Sequence, residues 1–371
     1  MKLILKIFKK ILVFALMIVV LLLVAINIPF NFYAKKVTTE DYSNWMYETL
    51  STDQFVIDIA MPGAHDAFTN KIHYGSNIDF ASASGIQTGI PGALIKGFSV
   101  KQSKTQVSDV TALLKHGVRY FDIRLTYNDR EAEWYTSHTY FSEPFANILD
   151  SIVEFLAENP GEFLILDIQH VNGIEYDDQV QFDSLSQMMT DSGIFDYAYE
   201  EGFLPLNEVT YGDVTDNKTK SGAIIISKFV VATNQFWNYG DSVRSSWANT
   251  DSVTSLYEHL NNETQLILNG EALTGNQIPD YIGTDSLNAF RVMQAVLTMQ
   301  MTGEGILEGI TSWSLLTKAR NLNPELISQP EFLEWLSAMP IVMVDYADSN
   351  YRSFNDNLMT LIIDFNESIV I

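Results

Sequence analysis

Two apolar periodicities alternate along this chain. Short apolar runs at 55–61, 119–125, 163–168, 223–231, 266–268 and 341–346 read as strands. Between them lie helix-like segments at 107–115, 145–158 and 286–302. The second is the clearest, with Ile148, Leu149, Ile152, Val153, Phe155 and Leu156 at helical spacing before an Asn159-Pro160-Gly161 stop. Strands alternating with helices predict a parallel sheet, here closed into a TIM-type (β/α) barrel, irregular or incompletely closed. Such barrels carry their chemistry at the C-terminal ends of strands. Residues 67–100, glycine-rich and apolar, and residues 207–222, polar, read as long loops.

The N-terminus follows a different pattern. Lys2, Lys6, Lys9 and Lys10 precede an apolar run at 11–28 interrupted only by Asn27. Eighteen helical residues span about 27 Å, close to the hydrocarbon thickness of a bilayer. The leading lysines predict a cytoplasmic N-terminus; a cleaved signal peptide is the alternative, though Ala25-Ile26-Asn27 makes a poor cleavage site. The expected organisation is therefore a signal anchor or transmembrane helix at 1–30, a juxtamembrane linker at 31–53 and a barrel catalytic domain at 54–371. This predicts a single-pass protein of the cell membrane with its catalytic domain outside.

Charge narrows the choice of partner. The chain has a formal charge of −24, and residues 1–36 carry six lysines and no acid, which leaves −30 on the remainder. Such a domain repels a nucleic-acid backbone. Cysteine is absent, so neither disulfides nor thiolate metal sites are available. Oligomeric state is not readable.

The candidate chemistry sits at predicted strand ends. Met61-Pro62-Gly63-Ala64-His65-Asp66 ends the first run. In the second, period-two alternation puts Tyr120, Asp122 and Arg124 on one face and Phe121, Ile123 and Leu125 on the other. Ser137-His138 follows a strand-like Trp134-Tyr135. Two histidines, carboxylates and an arginine are what metal-free phosphodiester cleavage requires: a base, an acid and a fixed cation on the phosphate oxygens. Asp345, in the last run, would meet the first strand at barrel closure and is the expected partner of His65. His170 ends another predicted strand as a candidate lining a head-group pocket. Trp247, near Trp237 and Tyr239, offers a ring on which a sugar could stack. His73, His116 and His259 read as structural or surface residues.

These residues resemble the X domain of phosphatidylinositol-specific phospholipase C in its small bacterial, metal-independent form. The segment Gln102-Ser103-Lys104-Thr105-Gln106, the run Leu114-Lys115-His116-Gly117, and Asn159-Pro160-Gly161-Glu162 before an apolar strand add to the likeness. The resemblance implies His65 as base and His138 as acid, cleaving phosphatidylinositol or a related membrane phospholipid to diacylglycerol and a cyclic inositol phosphate. It implies Asp66 and Asp122 as holders of Arg124 and His138 respectively. Lys228, in Ile226-Ser227-Lys228-Phe229, is similar to a family lysine that contacts inositol. Thr139 departs from the glycine that often follows the second histidine. Calcium-dependent relatives place acidic ligands where Arg124 stands, so neither metal nor other cofactor is expected. The alternatives are a phosphodiesterase of the same fold for another head group and a glycolipid-binding barrel without turnover.

Overall fold

Eight parallel strands form one curved sheet around a core of Ile, Leu, Val and Phe. The computed structural model describes residues 2–27, 40–174, 179–228, 233–271, 286–300 and 314–369. The ten strands are β1 (Met61–Ala64), β2 (Tyr120–Asn128), β3 (Glu133–His138), β4 (Tyr140–Pro144), β5 (Phe163–Asn172), β6 (Gly222–Ser227), β7 (Phe236–Asn238), β8 (Val243–Ser245), β9 (Phe290–Gln294) and β10 (Ile341–Val344). Their order is β7-β6-β5-β2-β1-β10-β9-β8, with β3 and β4 added as antiparallel strands beside β2. Consecutive strands β7 and β8 lie at the two ends of this path, and among the described residues no ladder joins them. The barrel is incompletely closed, as the sequence predicts.

The central strands are buried on both faces, which explains their unbroken apolar runs. Residues 163–169 and 222–227 are buried throughout. The helix Phe145–Glu158 turns Phe145, Ile148, Leu149, Ile152, Phe155 and Leu156 onto the sheet.

Several expected elements differ. The run 55–61 holds a 3₁₀ turn at Val56–Asp58 that buries Val56 and Ile57, and the first strand starts at Met61. Pro62 lies inside β1, and pairing with β2 begins just after it, at Gly63 and Tyr120. The expected helix at 286–302 is instead a 3₁₀ turn at Ser286–Asn288 followed by β9, with its last two residues outside the described ones. Residues 289–297 are buried without interruption, and a doubly buried strand has no period to distinguish it from a helix. The expected strand at 266–268 ends helix Val253–Leu268, where Leu256, Leu260 and Ile267 face inward at helical spacing. Strand β6 stops at Ser227, and the rest of the 223–231 prediction reaches outside the described residues.

Residues 67–100 are more ordered than a loop: helix α3 (Gly89–Ser103) begins within them. The polar stretch 207–222 contains the buried helix Tyr211–Thr215. At the N-terminus, α1 (Lys2–Asn27) includes a segment, Ile4–Val24, long and apolar enough to cross a membrane, a test that a signal sequence also passes. Its lysines lie inside the helix.

Residues 42–49 are fastened to the base of the barrel. Within the stretch read as linker, α2 (Trp45–Thr49) buries Trp45 and Met46. Arg119, fully buried, pairs with Glu162 at 2.7 Å and donates to the carbonyls of Tyr42 and Ser43 at 3.0 Å each. The Trp45 indole donates to the Gly117 carbonyl at 3.1 Å.

Candidate active site

The ladder between β1 and β10 aligns Ala64 with Val344, so the next residues of each strand, His65 and Asp345, emerge side by side. The His65 amide bonds the Val344 carbonyl at 3.1 Å, and its Nδ1 meets Asp345 Oδ1 at 2.8 Å. Gln106 holds the turn from below, its amide donating to the carbonyls of His65 and Val344 at 2.9 and 3.2 Å. Asp66 takes a left-handed backbone conformation (φ 40°), and its amide donates to Asp122 Oδ2 at 3.0 Å. That turn aims its carboxylate inward.

Asp66 is the hub. It pairs with Arg124 Nε, lies 3.2 Å from His138 Nδ1, and sits 3.7 Å from His65 Nε2. Asp122 lies 3.8 Å from Arg124 and 3.9 Å from His65 Nε2. Asp66 therefore meets both Arg124 and His138, while Asp122 supports Arg124 and the Asp66 turn. His138 Nδ1 also lies 3.0 Å from the carbonyl of Ser103, the last residue of α3.

This packing sets the charges. Burial pushes the His65 imidazole down, but the carboxylates of Asp66, Asp345 and Asp122 outweigh it and lift it to about 9. Burial lowers His138, with the Arg124 and His65 charges adding to the effect and Asp66 opposing it. Burial would raise Asp66, yet Arg124 and the imidazoles hold it well below the usual carboxylate range. Burial and the Asp66 charge raise Asp122. Arg124 is raised against its burial by the two carboxylates, so it stays a permanent cation.

A cleft of about 280 Å³ opens over these groups, lined by His65, Asp66, Asp122, Arg124, His138 and Asp345. Trp247 forms part of its wall and donates to Thr298 Oγ1 at 2.9 Å. Lys228 and His170 do not line it. Lys228 Nζ lies 5.2 Å from the Tyr239 ring centre. His170 pairs in register with Arg124, and burial first, then Arg124 and Lys228, push it down to about 3.

Other lining residues were not foreseen: Gln102, Gln169, Gln294, Leu297, Thr298, Met299 and Leu315. The β2–β5 register shifts between Ile123 and Arg124, and Gln169 is the extra residue. Bulges of this kind re-aim a side chain beside a site. Alternation from Asp167 would have marked Gln169. Gln294 was lost with the misread helix. Among the described residues, His65, Asp66 and Asp122 bring ligand atoms within 4.8 Å of one another, enough to hold a metal ion. Arg124 already supplies the positive charge there.

No protein-family model matches the chain. PI-PLC X domain-containing protein 3 of Danio rerio is 29% identical over 154 residues, covering 40% of this chain and 47% of that protein. Variant-surface-glycoprotein phospholipase C of Trypanosoma cruzi is 30% identical over 151 residues, 36% of this chain and 40% of that protein. The chain thus spans less than half the length of these curated relatives. In fold the likeness runs much further. A mutant of the phosphatidylinositol-specific phospholipase C from Staphylococcus aureus superposes with a TM-score of 0.56 at 15% identity, covering 88% of this chain and 97% of that one. The Listeria monocytogenes enzyme gives 0.53 at 15%, covering 88% and 98%. Over about two fifths of its length the chain is similar in sequence to PI-PLC X domain-containing proteins, and over most of its length it shares the fold of the bacterial phosphatidylinositol-specific phospholipases C.

Proposed function

We propose that this chain is a phospholipase C that cleaves phosphatidylinositol-type lipids without a metal, and that α1 anchors it in the cell membrane with the barrel outside. The observation that carries this reading is the convergence of His65, His138 and Arg124 on one cleft around a shared Asp66. The inositol 2-hydroxyl attacks the adjacent phosphorus while His65 Nε2 takes its proton. The bond from phosphorus to the diacylglycerol oxygen breaks, and His138 Nε2 protonates that oxygen. Arg124 neutralises the non-bridging oxygens. The products are diacylglycerol and a cyclic inositol phosphate. Holding the hydroxyl in line contributes on the order of 7–11 kcal/mol. Each imidazole contributes roughly 10²–10⁴-fold.

The test is release of head-group phosphate from phosphatidylinositol vesicles by the full chain in excess chelator, beside His65→Ala. Turnover should survive the chelator and vanish in the variant. Loss in chelator would show that the His65–Asp66–Asp122 cluster works through a metal. No turnover at all would overturn the head-group assignment.

The proton balance predicts a pH profile. With His65 lifted to about 9 and His138 lowered, the resting site carries its proton on His65. Cleavage starts from the opposite arrangement and ends in the resting one, so the proton's net move from His138 to His65 runs downhill. Hydrolysis of the cyclic product would start from the resting state. Below the lower limit both imidazoles are charged and no base remains; above about 9 neither holds a proton and no acid remains. A kcat/KM bell bounded below 6.5 and near 9 is expected, and an upper limit near 7 would contradict it.

A further inference from the structure

Asp79 is a buried carboxylate outside the cleft, 1% exposed, and among the described residues no cation pairs with it. Everything that approaches it is a donor. Its Oδ2 lies 2.7 Å from Ser82 Oγ, 2.7 Å from Thr126 Oγ1 and 2.8 Å from Ser137 Oγ, and its Oδ1 accepts the Ala81 amide at 2.9 Å. The Thr126 and Ser137 hydroxyls are 2.7 Å apart and close a triangle on Oδ2. Burying an uncompensated carboxylate is costly, and only a full set of hydrogen bonds makes it tolerable.

The residues so gathered bracket His138. Ser137 precedes it. Thr139 follows it in a left-handed conformation (φ 66°), with its carbonyl accepting the Asp79 amide at 2.9 Å and its own amide donating to Ser82 Oγ at 3.1 Å. Thr126 belongs to β2, the strand that carries Arg124. One side chain and its backbone thus tie the end of β3 to β2 on both sides of His138. The Nδ1 contacts with Asp66 and the Ser103 carbonyl fix the ring plane, the ladder to Tyr140 holds the strand, and Asp79 ties down the backbone on either side of the ring.

We infer that Asp79 is the positioning residue for His138, setting where its Nε2 meets the leaving oxygen. The inference rests on the proposed role of His138 as acid. Asp79→Asn is nearly isosteric but turns an acceptor into a donor facing three hydroxyls. A displaced acid harms only a leaving group that needs a proton. The variant should therefore lose on the order of 10²-fold in kcat on phosphatidylinositol. It should stay within about threefold on the 4-nitrophenyl ester of inositol 1-phosphate, whose phenolate departs unprotonated. Ser137→Ala, which removes one donor and keeps the carboxylate, should show the same split in smaller measure.

Equal losses on both substrates, with a lowered unfolding temperature, would make Asp79 merely structural and overturn the inference, as would no loss on the lipid. A readout independent of turnover separates this from failure of the functional reading. In Asp79→Asn the imidazole NMR signals of His138 should move while those of His65 stay. Unmoved His138 signals would overturn the inference. An intact chain that cleaves neither substrate would instead overturn the functional reading.

Discussion

Arg124→Leu should lower kcat on phosphatidylinositol by on the order of 10³-fold, the scale lost when a preorganised charge is removed from a developing oxyanion. The phosphorane gains negative charge on its equatorial oxygens, and among the residues lining the cleft Arg124 is the only cation that does not depend on protonation. A second effect has a definite sign. Freed from Arg124, Asp66 keeps its contact with His138 at 3.2 Å as an uncompensated carboxylate, while the guanidinium that depressed His138 is gone. Both changes raise the His138 pKa, so the lower limit of the pH profile should move up. Asp66 and Asp122 also stay buried without their counter-charge, and the unfolding temperature should fall. Steady-state kinetics across pH together with thermal unfolding would check all three, and a kcat within about threefold of the parent would remove Arg124 from the reaction.

Asp345→Asn should cost kcat on the order of 10³–10⁴-fold, through the tautomer of His65. In the neutral imidazole that acts as base, Asp345 accepts from Nδ1 at 2.8 Å, which leaves the lone pair on Nε2, facing the cleft. An asparagine amide can donate at the same place. It would then stabilise the tautomer with hydrogen on Nε2, which cannot take a proton from the substrate. Asp345→Ala imposes no tautomer and should be the milder change. Both variants remove a charge that lifts His65, so the upper limit of the pH profile should fall below about 9. Kinetics on the two variants would decide the matter, and an alanine worse than the asparagine would contradict the tautomer account.

Much of the architecture was legible because burial on both faces of a parallel strand leaves a continuous apolar run, and helices between such runs leave a period of 3.6. Asp122 and Arg124 could be placed on one face because the side-chain period of a strand is two. The same physics explains the misses. Residues 289–297 are buried throughout, and such a segment carries no period, so β9 was read as helix and Gln294 and Thr298 went unseen. Helix α3 contains Gly89, Gly92 and Gly97, each a poor helix former. It is held by contacts remote in sequence, among them Lys96 Nζ on the Ser76 carbonyl at 2.9 Å. The hub role of Asp66 depends on its left-handed turn, and the presence of Gln169 in the cleft on a one-residue bulge. The turn leaves no mark in hydropathy, and Gln169 shows only in the alternation from Asp167, one residue past the predicted strand end. Lys228 just follows β6 and His170 lies within β5; neither lines the cleft, although both are near enough to Arg124 to feel its charge.

The Arg119 cluster decides where the folded barrel begins. Hydropathy puts the boundary of the barrel at residue 54, but two of the carbonyls that satisfy the Arg119 guanidinium belong to Tyr42 and Ser43, and Trp45 lies over the same ion pair. Cutting at residue 54 would strip those acceptors from a buried cation, at about 1–3 kcal/mol for each donor left bare, and would admit water to the pair with Glu162. A soluble, fully active fragment, whether released by a protease or trimmed at the bench, must therefore be cut upstream of Tyr42.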